Sequence, residues 1–443
     1  MTTKTPPIVS GGYPVVGHAL EMMKDRESLF KRGFREHGDL FSIKLGPRYA
    51  VVITGADYNK QFYMQTDKEL NMQDGYQFLK ASFGEVLFTA SKELYTNQRP
   101  LLQEIFRRER MAGYIQAMNI EVQNWLDSLG ESGEVDISAA MLKLTQFVAG
   151  RAFIGPHFEQ ELGEVFWQQY DAISNALDPV LPPNLPLPKF RRRDRARIKI
   201  REVFSQLVQK RRENPSEYED LITILLNYPM KDGEFLSDEM IMNLFMGLLF
   251  AGHETTAGQA AWTITLLLQH PEYLKLVQQE INEKLPFGSE IDGRKIAEFN
   301  HIAWAIDETT RLRPSADVQL RTVEEPIRLG EYEIPVGWQL IANAANSHTL
   351  PEVFTDPAVY DPLRFSPERK EGKNPFAIVG FGGGMHKCTG MNFAKNEMTV
   401  ITSLLFQQFD LELLSEDIRV IQGNGANHPS PVWVRYTKKD SKS

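Results

Sequence analysis

The sequence predicts a mainly helical protein with a minor β region, folded as one large domain of 443 residues. Three observations lead to this class. Apolar residues recur at helical spacing from about residue 54 to 315. Runs typical of strands fall near 40–55 and 320–345, and neither a long linker nor an internal repeat interrupts the chain.

The N-terminal part predicts one helix followed by a hairpin. Residues 21–38 carry apolar side chains at helical spacing. Residues 41–46 and 49–53 predict two short strands, and Gly46-Pro47 supplies the turn between them.

The longest predicted helix lies near residues 237–270. Ser237 is its expected N-cap, and Pro271 follows just beyond its end. Residues 240–250 are apolar almost all round, so this helix should run through the interior.

Proline-rich segments flank the remaining elements. Five prolines between residues 178 and 190 break any helix there, and the arginine-rich run 191–195 starts a new, solvated one. The elements expected after residue 320 are short strands at 328–335 and 338–342, a loop at 351–375 and a helix at 393–409.

Composition excludes several classes of function. A net charge of −9 argues against a general nucleic-acid binder. One cysteine excludes an intramolecular disulfide and any multi-cysteine zinc or iron–sulfur site. Residues 1–10 lack the apolar core of a signal peptide, and no run of about 18 uninterrupted apolar residues occurs, so we expect a cytoplasmic protein without a transmembrane segment.

The most informative motif surrounds that cysteine. Three glycines precede Cys388, and glycine lets a backbone approach a flat ligand closely. A thiolate at the start of a helix is stabilised by the helix dipole and by free N–H groups. The alternative is a buried structural cysteine, the usual fate of a lone cysteine. The ordered pattern of Phe381, Gly384, His386, Cys388 and Gly390 favours a ligand.

This pattern resembles the haem-binding signature of the cytochrome P450 family, Phe-x-x-Gly-x-(His or Arg)-x-Cys-x-Gly, and matches it completely. The resemblance covers nearly the whole chain, because four further motifs follow in the family's order. It implies the P450 fold and haem b, with Cys388 as the axial ligand of the iron. The residues that the resemblance assigns to binding the cofactor are Arg321, His386, Arg99, Tyr76, Phe381, Gly382 and Gly390. Arg99 follows Tyr95 where the family has tryptophan, which is a departure from the motif.

The long helix carries a second motif, residues 251–256. Ala251 and Gly252 have small side chains that leave space for dioxygen. The hydroxyl of Thr255 can bond to the carbonyl of Ala251 and open the helix locally. Glu254 and Thr255 are an acid and a hydroxyl suited to relaying protons. The motif matches the family's oxygen-activation motif, and His253 is expected to contact a neighbour and not a metal.

A third motif places Glu308 and Arg311 on one helix face. Such a pair is usually solvated. Its resemblance to the family's Glu-x-x-Arg motif implies a buried network with Arg364 that braces the cysteine loop.

An apolar pocket is expected for the substrate. Residues 76–88 are similar to the substrate loop of sterol 14α-demethylases, and residues 190–197 to bacterial members of that class. That class has His-Thr where this chain has Glu254-Thr255. The predicted pocket wall contains Tyr76, Phe78, Leu79, Phe83, Phe88, Phe250 and Val318.

The leading functional hypothesis is a monooxygenase, expected as a monomer, that inserts one oxygen atom into a steroid, terpenoid or lipid-like substrate. Electrons should come from NAD(P)H through a ferredoxin or flavodoxin-type partner and its reductase, docking on the cysteine side near Lys387 and Lys395. The alternatives are a sterol 14α-demethylase, a haem-thiolate isomerase or dehydratase, and a haem-binding protein without catalysis.

Overall fold

The computed structural model describes residues 4–179, 181–230, 233–423 and 425–440. The expectation about residues 1–10 therefore lies partly outside the described residues, as does residue 180 of the proline-rich stretch. The structure is 55% helical with 14% strand, which confirms a mainly helical fold with a minor β region.

Helices make up most of the described chain, and short strands fall between them. The helices are α1 (Ala19–Lys24), α2 (Arg26–His37), α3 (Ala56–Gln65), α4 (Gln77–Phe83), α5 (Lys92–Ile105), α6 (Arg108–Leu129), α7 (Ile137–Ile154), α8 (Phe158–Ser174), α9 (Pro188–Glu213), α10 (Leu221–Asn227), α11 (Asp238–Gln269), α12 (Pro271–Lys284), α13 (Gly293–Ile296), α14 (Asn300–Leu312), α15 (Ala344–Ser347) and α16 (Met391–Gln408). The strands are β1 (Leu40–Leu45), β2 (Arg48–Ile53), β3 (Leu70–Asn71), β4 (Ser132–Asp136), β5 (Val318–Val323), β6 (Ile327–Leu329), β7 (Tyr332–Ile334), β8 (Gln339–Asn343), β9 (Phe409–Leu413), β10 (Val420–Gln422), β11 (Asn427–Pro429) and β12 (Trp433–Lys438).

Contacts divide the chain into two compact units, each made of two stretches. The first contains Met1–Gln77 and Thr310–Cys388, and the second contains Phe78–Thr309 and Thr389–Ser443.

The first unit is organised by a five-stranded sheet in the order β1-β2-β8-β5-β3. The predicted hairpin is present as β1 and β2, paired antiparallel, while β2 pairs parallel with β8. Side chains of β2 alternate between two apolar clusters, with Val51 in one and Val52 in the other. The sheet is therefore covered on both faces.

The second unit is built around α11. Its N-cap is Ser237, as predicted, and the side chain accepts a hydrogen bond from the backbone N–H of Met240 at 3.2 Å. Almost every residue of 241–250 is buried, as the apolar sequence predicts. The β10–β11 hairpin packs on α11 at Gly258, where a β-carbon would lie 2.6 Å from the carbonyl oxygen of Asn427.

Among the described helices, only α7 has the length and apolar composition that crossing a membrane would require. Half of that helix is buried inside the protein.

Candidate active site

The cysteine loop belongs to the first unit. The N–H of Cys388 donates to the carbonyl of Phe381 at 2.9 Å, which closes the loop, and the thiol is exposed. Gly382 and Gly384 adopt φ values of +70° and +59°, as the glycine run predicts. A β-carbon on Gly384 would also lie 2.8 Å from the carbonyl oxygen of Tyr63. This glycine makes room for α3.

Arg321 is a buried cation on β5. It is 2% exposed and lies over the ring of Phe62 at 4.9 Å. Its guanidinium donates to the hydroxyl of Thr66 at 3.0 Å and to the carbonyl of Leu320 at 2.7 Å. No carboxylate forms an ion pair with it among the described residues, and burial lowers its pKa. A buried guanidinium in this state is chemically suited to binding an anion.

Two other residues predicted to bind the cofactor lie in the same unit. The hydroxyl of Tyr76 accepts a hydrogen bond from the N–H of Leu320 at 3.3 Å, next to Arg321 in the chain. For His386, the structure shows Nε2 at 2.7 Å from Oδ2 of Asp67.

Arg311 and Arg364, two of the three residues expected in a buried network with Glu308, form a cluster that we call the brace. Arg311 and Arg364 are fully buried, and both donate to the carbonyl of Val359, at 3.2 and 3.1 Å. Both guanidinium groups lie over the ring of Phe354. Glu308 is also fully buried, so this motif is not a solvated pair.

His348 extends this brace and carried no recognisable signal in the sequence. Its Nδ1 lies 3.1 Å from the carbonyl oxygen of Arg311, and its Nε2 lies 2.8 Å from the backbone nitrogen of Val379. Because the N–H of Val379 can only donate, Nε2 accepts and Nδ1 carries the hydrogen. Burial lowers the pKa of His348 to about 4, which keeps the ring neutral.

The oxygen motif lies on α11 in the second unit. The hydroxyl of Thr255 donates to the carbonyl of Ala251 at 2.6 Å, as predicted. A β-carbon on Gly252 would have no heavy atom within 4 Å outside its neighbours, so space is open there. The side chain of His253 contacts α7, where its Nε2 lies 2.9 Å from the carbonyl oxygen of Leu142. Burial lowers its pKa to about 4.

Glu254 accepts a hydrogen bond from α8, a contact that the sequence analysis did not predict. The hydroxyl of Ser174, at the end of α8, donates to Oε1 of Glu254 at 2.7 Å. Burial raises the pKa of Glu254, and this hydrogen bond partly opposes the rise. The two residues are 80 positions apart, so no local pattern could predict the contact.

A small, partly open apolar pocket lies in the second unit. Its lining residues are Leu79, Phe83, Val86, Leu87, Phe88, Thr89, Gly247 and Phe250. Four predicted pocket residues are among them, and Phe83 stacks on Phe250 with ring centroids 4.5 Å apart. Phe78 does not line it, and Tyr76 and Val318 lie in the other unit.

The other predicted positive charges have defined surroundings. Arg99 donates from Nη1 to the hydroxyl of Tyr95 at 3.0 Å. The ammonium of Lys395 forms an ion pair with Asp307 at 2.5 Å, which offsets its charge, whereas Lys387 is exposed.

These arrangements fit the haem that the sequence resemblance implies. The thiol of Cys388 is exposed and chemically suited to ligating iron, and the buried cation of Arg321 suits a carboxylate such as a haem propionate. Within the described residues no cluster of three His, Cys, Asp or Glu side chains could hold a metal ion directly.

Comparisons with known proteins identify the family. The family model described as Cytochrome P450 matches residues 6–433. A sterol 14α-demethylase of Mycolicibacterium vanbaalenii is 32% identical over 419 residues, covering 93% of this chain and 92% of that protein. A sterol 14-demethylase of Arabidopsis thaliana is 30% identical over 423 residues, covering 93% of this chain and 87% of that protein.

Solved structures give the same result for the fold. The retinoic acid-bound cyanobacterial CYP120A1 superposes with a TM-score of 0.89 and 25% identity, covering 99% of this chain and all of that one. The haem domain of cytochrome P450DA superposes with a TM-score of 0.88 at 22% identity, covering all of this chain and 99% of that one. The predicted fold and the predicted family are both confirmed: this chain belongs to the cytochrome P450 family.

Proposed function

We propose that the chain is a haem-thiolate monooxygenase that inserts one oxygen atom of O2 into an apolar substrate. Haem b, when bound, supplies the iron at which O2 is activated. Cys388 would ligate that iron, within a loop shaped by Phe381, Gly382 and Gly390. The residues that would hold the propionates are Arg321, Tyr76, His386 and Arg99.

The observation that carries this proposal is the local opening of α11 at Thr255, next in sequence to a partly buried acid. The hydroxyl of Thr255 donates to the carbonyl of Ala251, and Glu254 has a pKa raised by burial. A carboxyl group with a raised pKa can hold a proton near neutral pH and pass it on through a hydroxyl. An isomerase, a dehydratase or a haem carrier would need no such relay, so this pair favours oxygen activation.

The substrate is proposed to be a steroid, a terpenoid or a lipid-like molecule. The pocket walls are apolar apart from Thr89, whose hydroxyl lies within hydrogen-bond distance of the carbonyls of Gly84 and Val86. Walls of this kind select a substrate by shape and apolar surface.

Sterol 14α-demethylation is the second candidate, and the relatives favour it. Proteins with that name are about 30% identical over more than nine tenths of this chain. The test is a titration with 14α-methyl sterols, terpenes and fatty acids, followed by the Soret band. A shift with lanosterol and loss of its 14α-methyl group would establish this candidate, whereas the absence of any sterol shift would remove it.

Electrons are proposed to come from NAD(P)H through a ferredoxin or flavodoxin-type protein and its reductase. Lys387 supplies exposed positive charge next to Cys388, where an acidic partner could dock. Exchange of Lys387 for glutamate should slow electron transfer, and the effect should diminish at high salt. Equal rates for both proteins at low salt would contradict this docking position.

Two experiments test the proposed reaction. The reduced protein under carbon monoxide should give the absorption spectrum of a thiolate-ligated haem, and Cys388→Ser should lose it. Thr255→Val should keep haem and substrate binding but lower product formed per NAD(P)H consumed, because the hydroxyl is lost. Unchanged spectra in Cys388→Ser, or unchanged coupling in Thr255→Val, would contradict the proposal.

A further inference from the structure

The carboxyl group of Glu254 has one defined partner outside its own helix. The hydroxyl of Ser174 donates to Oε1 of Glu254 at 2.7 Å. Ser174 is only 7% exposed, so bulk water does not compete freely for this bond. A hydrogen bond in such surroundings orients its acceptor more strongly than one in water. Ser174 therefore fixes the position of Oε1.

The second carboxyl oxygen lies against the backbone of the β10–β11 turn. A β-carbon added to Gly425 would lie 2.5 Å from Oε2 of Glu254 and 2.9 Å from the ring of Phe250. The absence of a side chain at Gly425 is what admits the carboxyl group here. With Ser174 at one oxygen and this turn at the other, rotation of the carboxyl group is restricted.

Several charged or titratable groups act on this carboxyl. Burial is the main cause that raises the pKa of Glu254. The hydrogen bond from Ser174 and the nearby imidazole of His428 on β11 lower it, and Asp171, one turn before Ser174 on α8, raises it. Ser174 and Asp171, both on α8, thus shift the pKa of Glu254 in opposite directions.

Two neighbours complete the surroundings. Tyr170 on α8 is fully buried, and its pKa is raised by burial and by the charge of Glu254. His253, adjacent on α11, bonds to the carbonyl of Leu142 on α7 and so does not compete for the carboxyl. The hydroxyl of Ser174 is thus the side-chain donor to Glu254 among the described residues.

We propose that Ser174 is a positioning residue for the proton relay: it holds the carboxyl of Glu254 in the orientation from which this group passes protons toward Thr255. This inference rests on the proposed function. In the relay, the carboxyl of Glu254 gives up one proton on the side of α11 that carries Thr255, and the resulting carboxylate regains a proton from water. When the carboxyl is misoriented this transfer slows. A larger share of the NAD(P)H is then spent on forming hydrogen peroxide, in which O2 takes up two electrons and two protons.

The first test measures the carboxyl directly, without turnover. In the haem-loaded protein, the infrared C=O band of protonated Glu254 is the band that disappears in Glu254→Gln. Ser174→Ala should move this band to higher frequency, because one hydrogen bond is lost, and should shift its titration midpoint upward by about one pH unit. Asp171→Asn should shift the midpoint downward.

Matched variants separate positioning from a general structural effect. Ser174→Thr keeps a hydroxyl and should restore the wild-type band. Ser403→Ala removes another buried hydroxyl, which bonds to the carbonyl of Thr399 within α16, and should leave the band unchanged. An unshifted band in Ser174→Ala, or an equal shift in Ser403→Ala, would overturn the proposal.

The second test measures coupling with ferredoxin, its reductase and either lanosterol or retinoic acid, whichever shifts the Soret band. Ser174→Ala should release several-fold more peroxide per NAD(P)H, with Soret position and substrate affinity unchanged. Wild-type coupling in this variant would overturn the proposal. If the infrared shift occurs but the wild-type protein forms no oxygenated product, the positioning role stands and the proposed function fails.

Discussion

His348 should make the protein sensitive to mild acid. Its ring is neutral in the folded state, with Nε2 accepting from the N–H of Val379 and Nδ1 donating to the carbonyl of Arg311. Its pKa is about 4, compared with about 6.5 for an exposed histidine. Between these two pH values only the unfolded chain takes up a proton, so the free energy of unfolding falls as pH falls.

The size of this effect follows from the pKa difference. Each pKa unit corresponds to about 1.4 kcal/mol, so His348 alone should remove about 3 kcal/mol between pH 6.5 and pH 4. Above pH 6.5 the ring is neutral in both states, and below pH 4 it is protonated in both, so the contribution is constant outside this window.

The variant His348→Gln isolates this contribution. Glutamine can accept from Val379 and donate to Arg311 but does not titrate. We expect urea unfolding from about pH 4 to 7 to give a shallower pH dependence for the variant, by about 3 kcal/mol across the window. His253→Gln should behave in the same way, because burial lowers the pKa of His253 to about 4 as well. Parallel pH curves for the wild type and His348→Gln would refute the reasoning.

Three further predictions concern stability and are measured by urea unfolding at neutral pH. Gly258→Ala should lower the free energy of unfolding by about 1–3 kcal/mol, because the new methyl group would lie 2.6 Å from a backbone carbonyl oxygen. Gly113→Ala, where space is open, should raise it by up to about 1 kcal/mol. Equal effects of the two variants would contradict this prediction. Glu280→Gln should lower the free energy of unfolding by about 1.5–3 kcal/mol, because this carboxylate accepts from the first N–H groups of α14 at 2.7–3.2 Å. Glu397→Gln should lower it less, because burial raises the pKa of Glu397 and so disfavours its charged form. A large loss in the second variant would show that Glu397 is charged. Arg311→Lys should lower the free energy of unfolding by about 3 kcal/mol or more and lower haem retention, since lysine cannot reproduce the hydrogen bonds to three carbonyls. Wild-type stability in this variant would show that the brace does not stabilise the fold.

Local patterns predicted the helices and hairpins whose signals lie within a few residues. Helix α11 begins one residue after its predicted cap Ser237, and the strands β1 and β2 are joined at the predicted turn, which contains Gly46. The helix expected over 21–38 is two helices, because Asp25 ends the first and caps the second through the N–H of Ser28. The strand expected over 328–335 is the β6–β7 hairpin, whose turn is at Gly330 with φ of +58°.

The site was predictable only in part, for a physical reason. Cys388, Thr255 and Arg311 belong to motifs with fixed spacing, so their neighbours in sequence identify them. Ser174 and His348 act through tertiary contacts, and a serine at the end of a helix or a histidine in a loop has many other uses. Their roles follow only from which chain segments the fold brings together.

The parallel pairing of β2 with β8 has a consequence for biosynthesis. Residues 50–53 pair with residues 339–342, so the first sheet lacks its central strand until most of the chain has been synthesised. At about 5–20 residues per second, a ribosome needs roughly 15–60 s to cover that distance. During this time the edge of β2 lacks its partner strand β8. We expect chaperones that bind nascent chains to protect the β1–β2 hairpin from aggregation over this interval.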